Sequence, residues 1–239
     1  MLSLTGNNLG DENLKKYKYE LHAHTSEISP CAIVPAERVA HIYTRLNYDG
    51  IVITDHFTEY TVNQTRQLQT WEDRMNRFIS GYETVKKTAE QIGSLSVFFG
   101  LEYRFIGDMN DYLIFGMTPD LLLSAKDMDK FSPAKLREFA DANSVMIFQA
   151  HPCRSVCTKA DPSLLDGVET YNGNPRHNSH NDEADAFAES FSLLKCSGSD
   201  FHEPQDAARG GIITDVKIES GKMLVEVLKK GNYSLIKTE

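Results

Sequence analysis

The residues best suited to metal chemistry are histidines and carboxylates that close a series of apolar runs. Tyr19-Glu20-Leu21-His22-Ala23-His24-Thr25 sets two imidazoles two residues apart. On a strand, residues i and i+2 point the same way, so both rings converge beyond the strand end. Later runs end in Asp55 and His56, in Glu102, in His151, and in Asp200 and His202. Imidazole nitrogen with carboxylate oxygen suits Zn, Mn or Fe as divalent ions, with no need of thiolate. The set offers more donors than the ~4 a structural zinc takes, so two or three metals are the economical reading. A carboxylate such as Glu102 can bridge two ions, which an imidazole cannot. Paired ions share and deprotonate a water and hold both the attacking and the leaving oxygen of a displacement. That chemistry is hydrolytic and most natural on a phosphate ester.

These side chains need strands that all deliver their ends to one rim. The pattern predicts strands over 17–24, 50–56, 94–99, 111–116, 145–151, 166–172 and 193–199, with a shorter one over 211–216. Gly50-Ile51-Val52-Ile53 has no polar alternation, as expected of a strand buried on both faces. Between them lie predicted helices. One opens at Pro35 and runs to about Asn47, and one spans 70–91 with Met75, Phe78, Ile79, Tyr82 and Val85 at threes and fours. Ser132-Pro133 caps a third over 134–143, and others cover 181–191 and 220–230. Alternating strand and helix favours parallel strands with crossover helices. In a parallel barrel all C-terminal strand ends share the face where active sites are built. With no repeat or linker in the sequence, residues 17–239 read as a single domain behind a polar leader over 1–16.

Bulk composition narrows the function. The 239 residues carry a net charge of −9, which disfavours a general nucleic-acid surface. No apolar run approaches the ~20 residues that span a bilayer. Cys31, Cys153, Cys157 and Cys196 form no CxxC pair, so a zinc ribbon or redox motif is unsupported and a reducing, cytoplasmic setting is expected.

At its motifs the chain resembles the PHP family, named for polymerase and histidinol phosphatase domains. The motifs are His22-Ala23-His24-Thr25, Thr54-Asp55-His56, Gly100-Leu101-Glu102, Ala150-His151-Pro152 and Ser199-Asp200-Phe201-His202, in the family's order. The resemblance implies a distorted (β/α)7 barrel, TIM-like, with a trinuclear metal centre at its rim and phosphoesterase activity in many members. It implies one metal held by His22, His24, Glu102 and Asp200. Glu102 would bridge to a second that His151 also binds, and His56 and His202 would belong to a third. The chain departs from the family in two places. Asp111 stands where a histidine is frequent after the glutamate, and the loop after Thr25 offers only Glu27 or Cys31. Catalysis is assigned to Glu102 and Asp200 through the water their metals activate.

Arg154, Arg176, Arg209 and Asn172 are the candidates for binding a small phosphorylated substrate, since guanidinium forks match phosphate oxygens. Asp55 is read as a group beside the site, His41, His177 and His180 as surface residues, and Cys153 and Cys157 as small packing residues. Three other activities stay open. One is exonuclease-like phosphodiester cleavage, disfavoured by the acidic charge. Another is amidohydrolase chemistry, for which no Lys stands at a strand end to form a carbamylated bridge. The last is a non-catalytic metal-binding module.

Overall fold

A computed structural model describes residues 15–64 and 67–238 of the chain. Most of the leader expected over 1–16 lies outside the described residues; Lys15 and Lys16 are exposed. The strands are β1 (Tyr17–Ala23), β2 (Gly50–Ile53), β3 (His56–Phe57), β4 (Ser96–Phe99), β5 (Leu101–Tyr103), β6 (Tyr112–Phe115), β7 (Met146–Gln149), β8 (Gly167–Asn172), β9 (Leu194–Gly198), β10 (Ile212–Thr214) and β11 (Ser234–Leu235). The helices are α1 (Ala36–Arg45), α2 (Glu59–Asn63), α3 (Trp71–Ile92), α4 (Pro119–Ser124), α5 (Pro133–Asn143), α6 (Asn181–Ser190) and α7 (Gly221–Lys230). The short α2 and α4 fall in segments where the sequence pattern predicts no helix.

The strands form two arcs, ordered β11-β10-β1-β2-β4 and β3-β5-β6-β7-β8-β9. They are parts of one wall. β2 and β3 belong to one run interrupted at Thr54-Asp55, and β4 and β5 to one run interrupted at Gly100. Backbone bonds from Thr54 N to Ala23 O, Gly100 N to Ile53 O and Glu102 N to Asp55 O stitch across the breaks. On the far side, Ala23 bridges Phe201 in parallel, with His24 N bonded to Phe201 O and Phe201 N to His22 O. The wall thus closes on itself as a distorted α/β barrel. β10 pairs with the start of β1 in antiparallel fashion and fills its remaining edge.

One expectation fails in an informative way. The barrel is not all parallel, because β6 runs antiparallel to both β5 and β7. The cause is chain length. Only residues 104–111 join β5 to β6, whereas a parallel crossover needs a dozen residues or more. A reversed β6 brings its beginning, not its end, to the rim.

The apolar residues sort by strand alternation. Ile51 and Ile53 pack outward with Val39 and Tyr43 of α1 and Met75 and Ile79 of α3. Val52 packs the other way, with Leu21, Phe98, Leu113, Phe115, Met146 and Phe148. That second cluster draws on strands all round the wall, so it is the interior. Leu224, Val225 and Leu228 of α7 join it and close it at one end. The opposite end is left to polar side chains. No helix among the described residues is long and apolar enough to cross a membrane.

Candidate metal centre

His22 lies on β1 and His24 just past its end, both fully buried. The wall needs a glycine to admit His22: a Cβ on Gly198 would stand 2.3 Å from the His22 Cβ and 2.7 Å from Glu169 Oε1. His56 on β3 and Glu102 on β5 are direct parallel neighbours. His151 and Asp200 leave β7 and β9 with positive φ, 28° and 51°. This left-handed backbone is uncommon for residues with a Cβ. Asp111 precedes the reversed β6 and reaches the same rim from the other chain direction.

Glu102 is the centre of the cluster. Its Oε1 lies 3.2 Å from His22 Nε2 and 3.1 Å from His151 Nε2; its Oε2 lies 3.4 Å from His24 Nε2 and 2.7 Å from His56 Nδ1. Asp200 Oδ1 lies 3.4 Å from both His22 Nε2 and His24 Nε2, and 3.3 Å from His202 Nδ1. Four overlapping groups have donors close enough to share an ion. They are His22, His24 and Glu102; His22, His151 and Asp200; His56, Glu102 and Asp111; and His24, His56 and His202.

The surrounding bonds fix which ring nitrogens face the centre. His22 Nδ1 is 2.9 Å from Glu169 Oε1 and donates to it, since a carboxylate only accepts. Ser29 gives its one hydroxyl proton to Asp55, so His24 Nδ1, 3.1 Å from Ser29 Oγ, must be the donor there. His202 Nδ1 donates to the Asp200 carbonyl at 2.9 Å. Each bond leaves Nε2 as the nitrogen turned away from it and free to ligate. His22 Nε2, His24 Nε2, His56 Nδ1 and Glu102 Oε2 are buried without a hydrogen-bond partner. Such atoms cost ~1–3 kcal/mol each if left so. Their convergence, with a shared carboxylate among imidazoles, fits bound divalent metals.

The charges respond to this crowding. Burial disfavours the His22 cation, but Glu169, Asp200 and Glu102 outweigh it and hold its pKa well above the ordinary value. His24 is pushed well below it by burial and by neighbouring His202 and His56. Burial opposes ionisation of Glu102 and Asp200, yet the adjoining rings outweigh it, and both stay well below the usual carboxylate range. Burial and the Glu102 charge raise Asp111.

The expected residues divide cleanly. His22, His24, His56, Glu102, Asp111, His151, Asp200 and His202 converge. Asp55 stands beside the centre, accepting from Thr25 N, Thr25 Oγ1 and Ser29 Oγ. Glu27 does not reach the centre. Both of its oxygens accept from Ala36 N at 3.0 Å, where the first turn of α1 needs an anion. Cys31 does reach it, with Sγ 3.1 Å from His202 Nε2. Burial resists its thiolate, but hydrogen bonds from His202 and His56 lower its pKa to about 6.

A cavity of about 250 Å³ opens over the cluster, with Arg154 and Arg176 in its lining. Arg154 bonds Asp200 Oδ2 at 2.6 Å and Asn172 Oδ1 at 2.9 Å. Arg176 pairs with Asp206 at 2.5 Å. Arg209 and Asn172 are absent from that lining. Arg209 Nε donates to Gly173 O, and buried Asn172 donates to Glu169 and Asp200. Neither presents a free group to the cavity. His177, read as a surface residue, is exposed and also lines the cavity mouth.

Several contributors escape sequence reasoning. Arg104 lines the cavity and clamps Asp111 through two bonds, at 2.7 and 2.5 Å. Glu169 holds His22, accepts from His151 N and takes the Asn172 amide. Glu20 sits beneath the centre, accepting from His22 N, Ser199 N and Tyr43 Oη. The available signal was a glutamate in the middle of each of two strands, since a buried carboxylate needs partners.

Residues 178–233 match the family described as PHP-associated. No curated protein sequence matches the chain. Among solved structures, a two-domain protein from Bacteroides vulgatus is similar; it is described as containing a predicted PHP-like metal-dependent phosphoesterase. It shares 16% identity at a TM-score of 0.67, over 98% of this chain and 69% of that one. PsfC from Pseudomonas syringae shares 13% identity at 0.65, over 93% and 92%. The lesion-specific endonuclease PfuEndoQ from Pyrococcus furiosus shares 13% at 0.57, over 92% of this chain and 58% of that one. At such identities the likeness is one of fold. With the PHP-associated match over residues 178–233, it shows that the chain shares the fold of PHP-like proteins.

Proposed function

We propose that the chain is a metal-dependent phosphoesterase acting on small phosphomonoesters or nucleotides. The observation that carries this is Glu102, whose two oxygens face four imidazoles, with unpartnered buried atoms converging beneath a cavity lined by arginines. His22, His24, Glu102 and Asp200 would hold one divalent metal. Glu102, His151 and Asp111 would hold a second, with His56 and His202 at a third position. Such metals, when bound, supply Lewis acidity and a water of lowered pKa.

The chain's own residues do the rest. Arg154 is held over the centre by Asp200 and Asn172 and presents its guanidinium to phosphoryl oxygens. Arg104 and Arg176 line the same opening and add positive charge where the transferring group gains negative charge. Glu169 keeps the His22 ring turned so that Nε2 faces inward. The cavity is smaller than the ~300–1,000 Å³ typical of ligand pockets. It suits a phosphoryl group and a short alcohol, with any larger remainder outside.

The test is purified protein stripped of metal, reloaded with Zn, Mn or Fe, and offered phosphomonoesters, nucleotides and single-stranded DNA. Hydrolysis of the small esters that chelation abolishes is the expected result. Cleavage of DNA in their place would move the substrate to nucleic acid, in line with the fold shared with endonuclease Q. Metal-replete protein inert towards every substrate would leave a binding module.

A further inference from the structure

The third metal position has no anion of its own: Glu102 Oε2 reaches His56 and Asp200 Oδ1 reaches His202, but the other positions share both. His24, His56 and His202 face one another there, with ring centroids 4.2 to 5.8 Å apart. The other carboxylates nearby are committed. Asp55 has both oxygens bonded to Thr25 and Ser29, and Glu27 caps α1. Ser29 Oγ gives its proton to Asp55 and accepts from His56 N.

Cys31 is the remaining donor among the described residues of that loop. Its sulfur stands 3.1 Å from His202 Nε2 and within hydrogen-bonding reach of the His56 ring. The His202 ring is oriented for this, because its Nδ1 is already bound to the Asp200 carbonyl. The cysteine is exposed, but its backbone is pinned. Ala32 N bonds Ser29 O at 2.9 Å, and Ile33 N bonds His202 O at 3.0 Å. The loop is therefore tied to the segment that carries His202. Two ligands of one tetrahedral zinc, with sulfur at about 2.3 Å and nitrogen at about 2.0 Å, stand about 3.5 Å apart. The observed separation needs only a small outward adjustment.

We infer that Cys31 is the anionic ligand of the third metal position, which it shares with His56 and His202, and that it makes this position selective for zinc. Sulfur is a soft donor. It favours Zn over Mn or Mg, which prefer oxygen. The proposal rests on the metal-centre reading above but not on its substrate. A Cys–His–His set leaves a coordination position open to the cavity, as catalytic zinc sites do.

Cobalt substitution tests it without reference to activity. The stripped full-length protein is loaded with Co²⁺, and its near-ultraviolet spectrum is recorded. Wild type and Cys157→Ser are expected to show thiolate-to-cobalt charge transfer; Cys31→Ser is expected to lose that band and about one metal equivalent per chain. Cys31→Asp keeps the equivalent without the band and shifts Zn/Mn competition towards Mn. Bound zinc slows alkylation of Cys31 by iodoacetamide at least about tenfold. Full cobalt loading without the band overturns the assignment of Cys31 and leaves the metal centre intact. A band that survives Cys31→Ser does the same. Protein that takes up no cobalt overturns both readings.

Discussion

The rim has two unlike sides. On one, each imidazole faces a carboxylate: His22 meets Glu169, Glu102 and Asp200, and His151 meets Glu102. On the other, His24, His56 and His202 reach only the shared Glu102 and Asp200 and crowd against one another, with Cys31 at the edge. His22 and His24 lie two residues apart on one chain segment, yet the first gains basicity and the second loses it. Sequence spacing sets where a ring points. The groups across the barrel set what it binds. The acidic side offers hard oxygen with nitrogen, and the imidazole side adds sulfur to them, so the two sides suit different ions.

The largest test of this contrast removes the residue both sides share. Glu102→Gln takes the bridging charge from the centre. Elemental analysis should show metal lost from both sides, and phosphoester turnover should fall at least about a thousandfold, the several kcal/mol such a centre contributes. Loss confined to one side would mean Glu102 is no bridge.

Glu169→Gln acts on the acidic side alone. It keeps the shape but weakens the bond that orients His22, and metal affinity there should drop about 10- to 100-fold. Isothermal titration would expose the change as one weakened step among several. Equal weakening of every step would erase the distinction between the sides.

Gly198→Ala is a steric version of the same test. The added methyl meets His22 and the Glu169 carboxylate, so the metal-free protein should lose about 1–3 kcal/mol in denaturant unfolding. An unchanged midpoint would show that His22 has room to move.

The smallest effect is in pH. A metal at His22 must displace a proton held above the ordinary imidazole value, whereas His24 carries none near neutrality. Uptake on the acidic side should therefore tighten as pH rises from about 6 to about 8, by about tenfold per unit for each proton displaced. On the imidazole side the protons to be displaced are those of His56 and His202, both also held above the ordinary value, and not that of His24. An uptake profile flat across this range would contradict the assigned shifts.

Much of this was legible in the sequence for local reasons. β-Branched runs marked the strands, and polar residues at their ends marked the rim. Asp111 was legible as a residue, but its route was not, because the reversal of β6 follows from the short link 104–111 and not from its own composition. Glu27 stands away from the centre and Arg209 outside the cavity lining because nearness in sequence says nothing of competing partners. One is drawn to the exposed amides of α1 and the other to the Gly173 carbonyl. Glu20 and Glu169 lie in the middle of strands, where only the assembled barrel reveals their donors.

The positive φ angles of His151 and Asp200 set folding against function. Left-handed backbone at a residue with a Cβ costs about 1–3 kcal/mol. The side chain, by contrast, is indispensable only once metal is present. A glycine at position 151 would relieve the backbone and delete the ligand together. His151→Gly should therefore be more stable than His151→Ala while binding metal equally poorly. Selection for thermostability alone would drift towards that glycine, and with it towards a sturdier, emptier barrel.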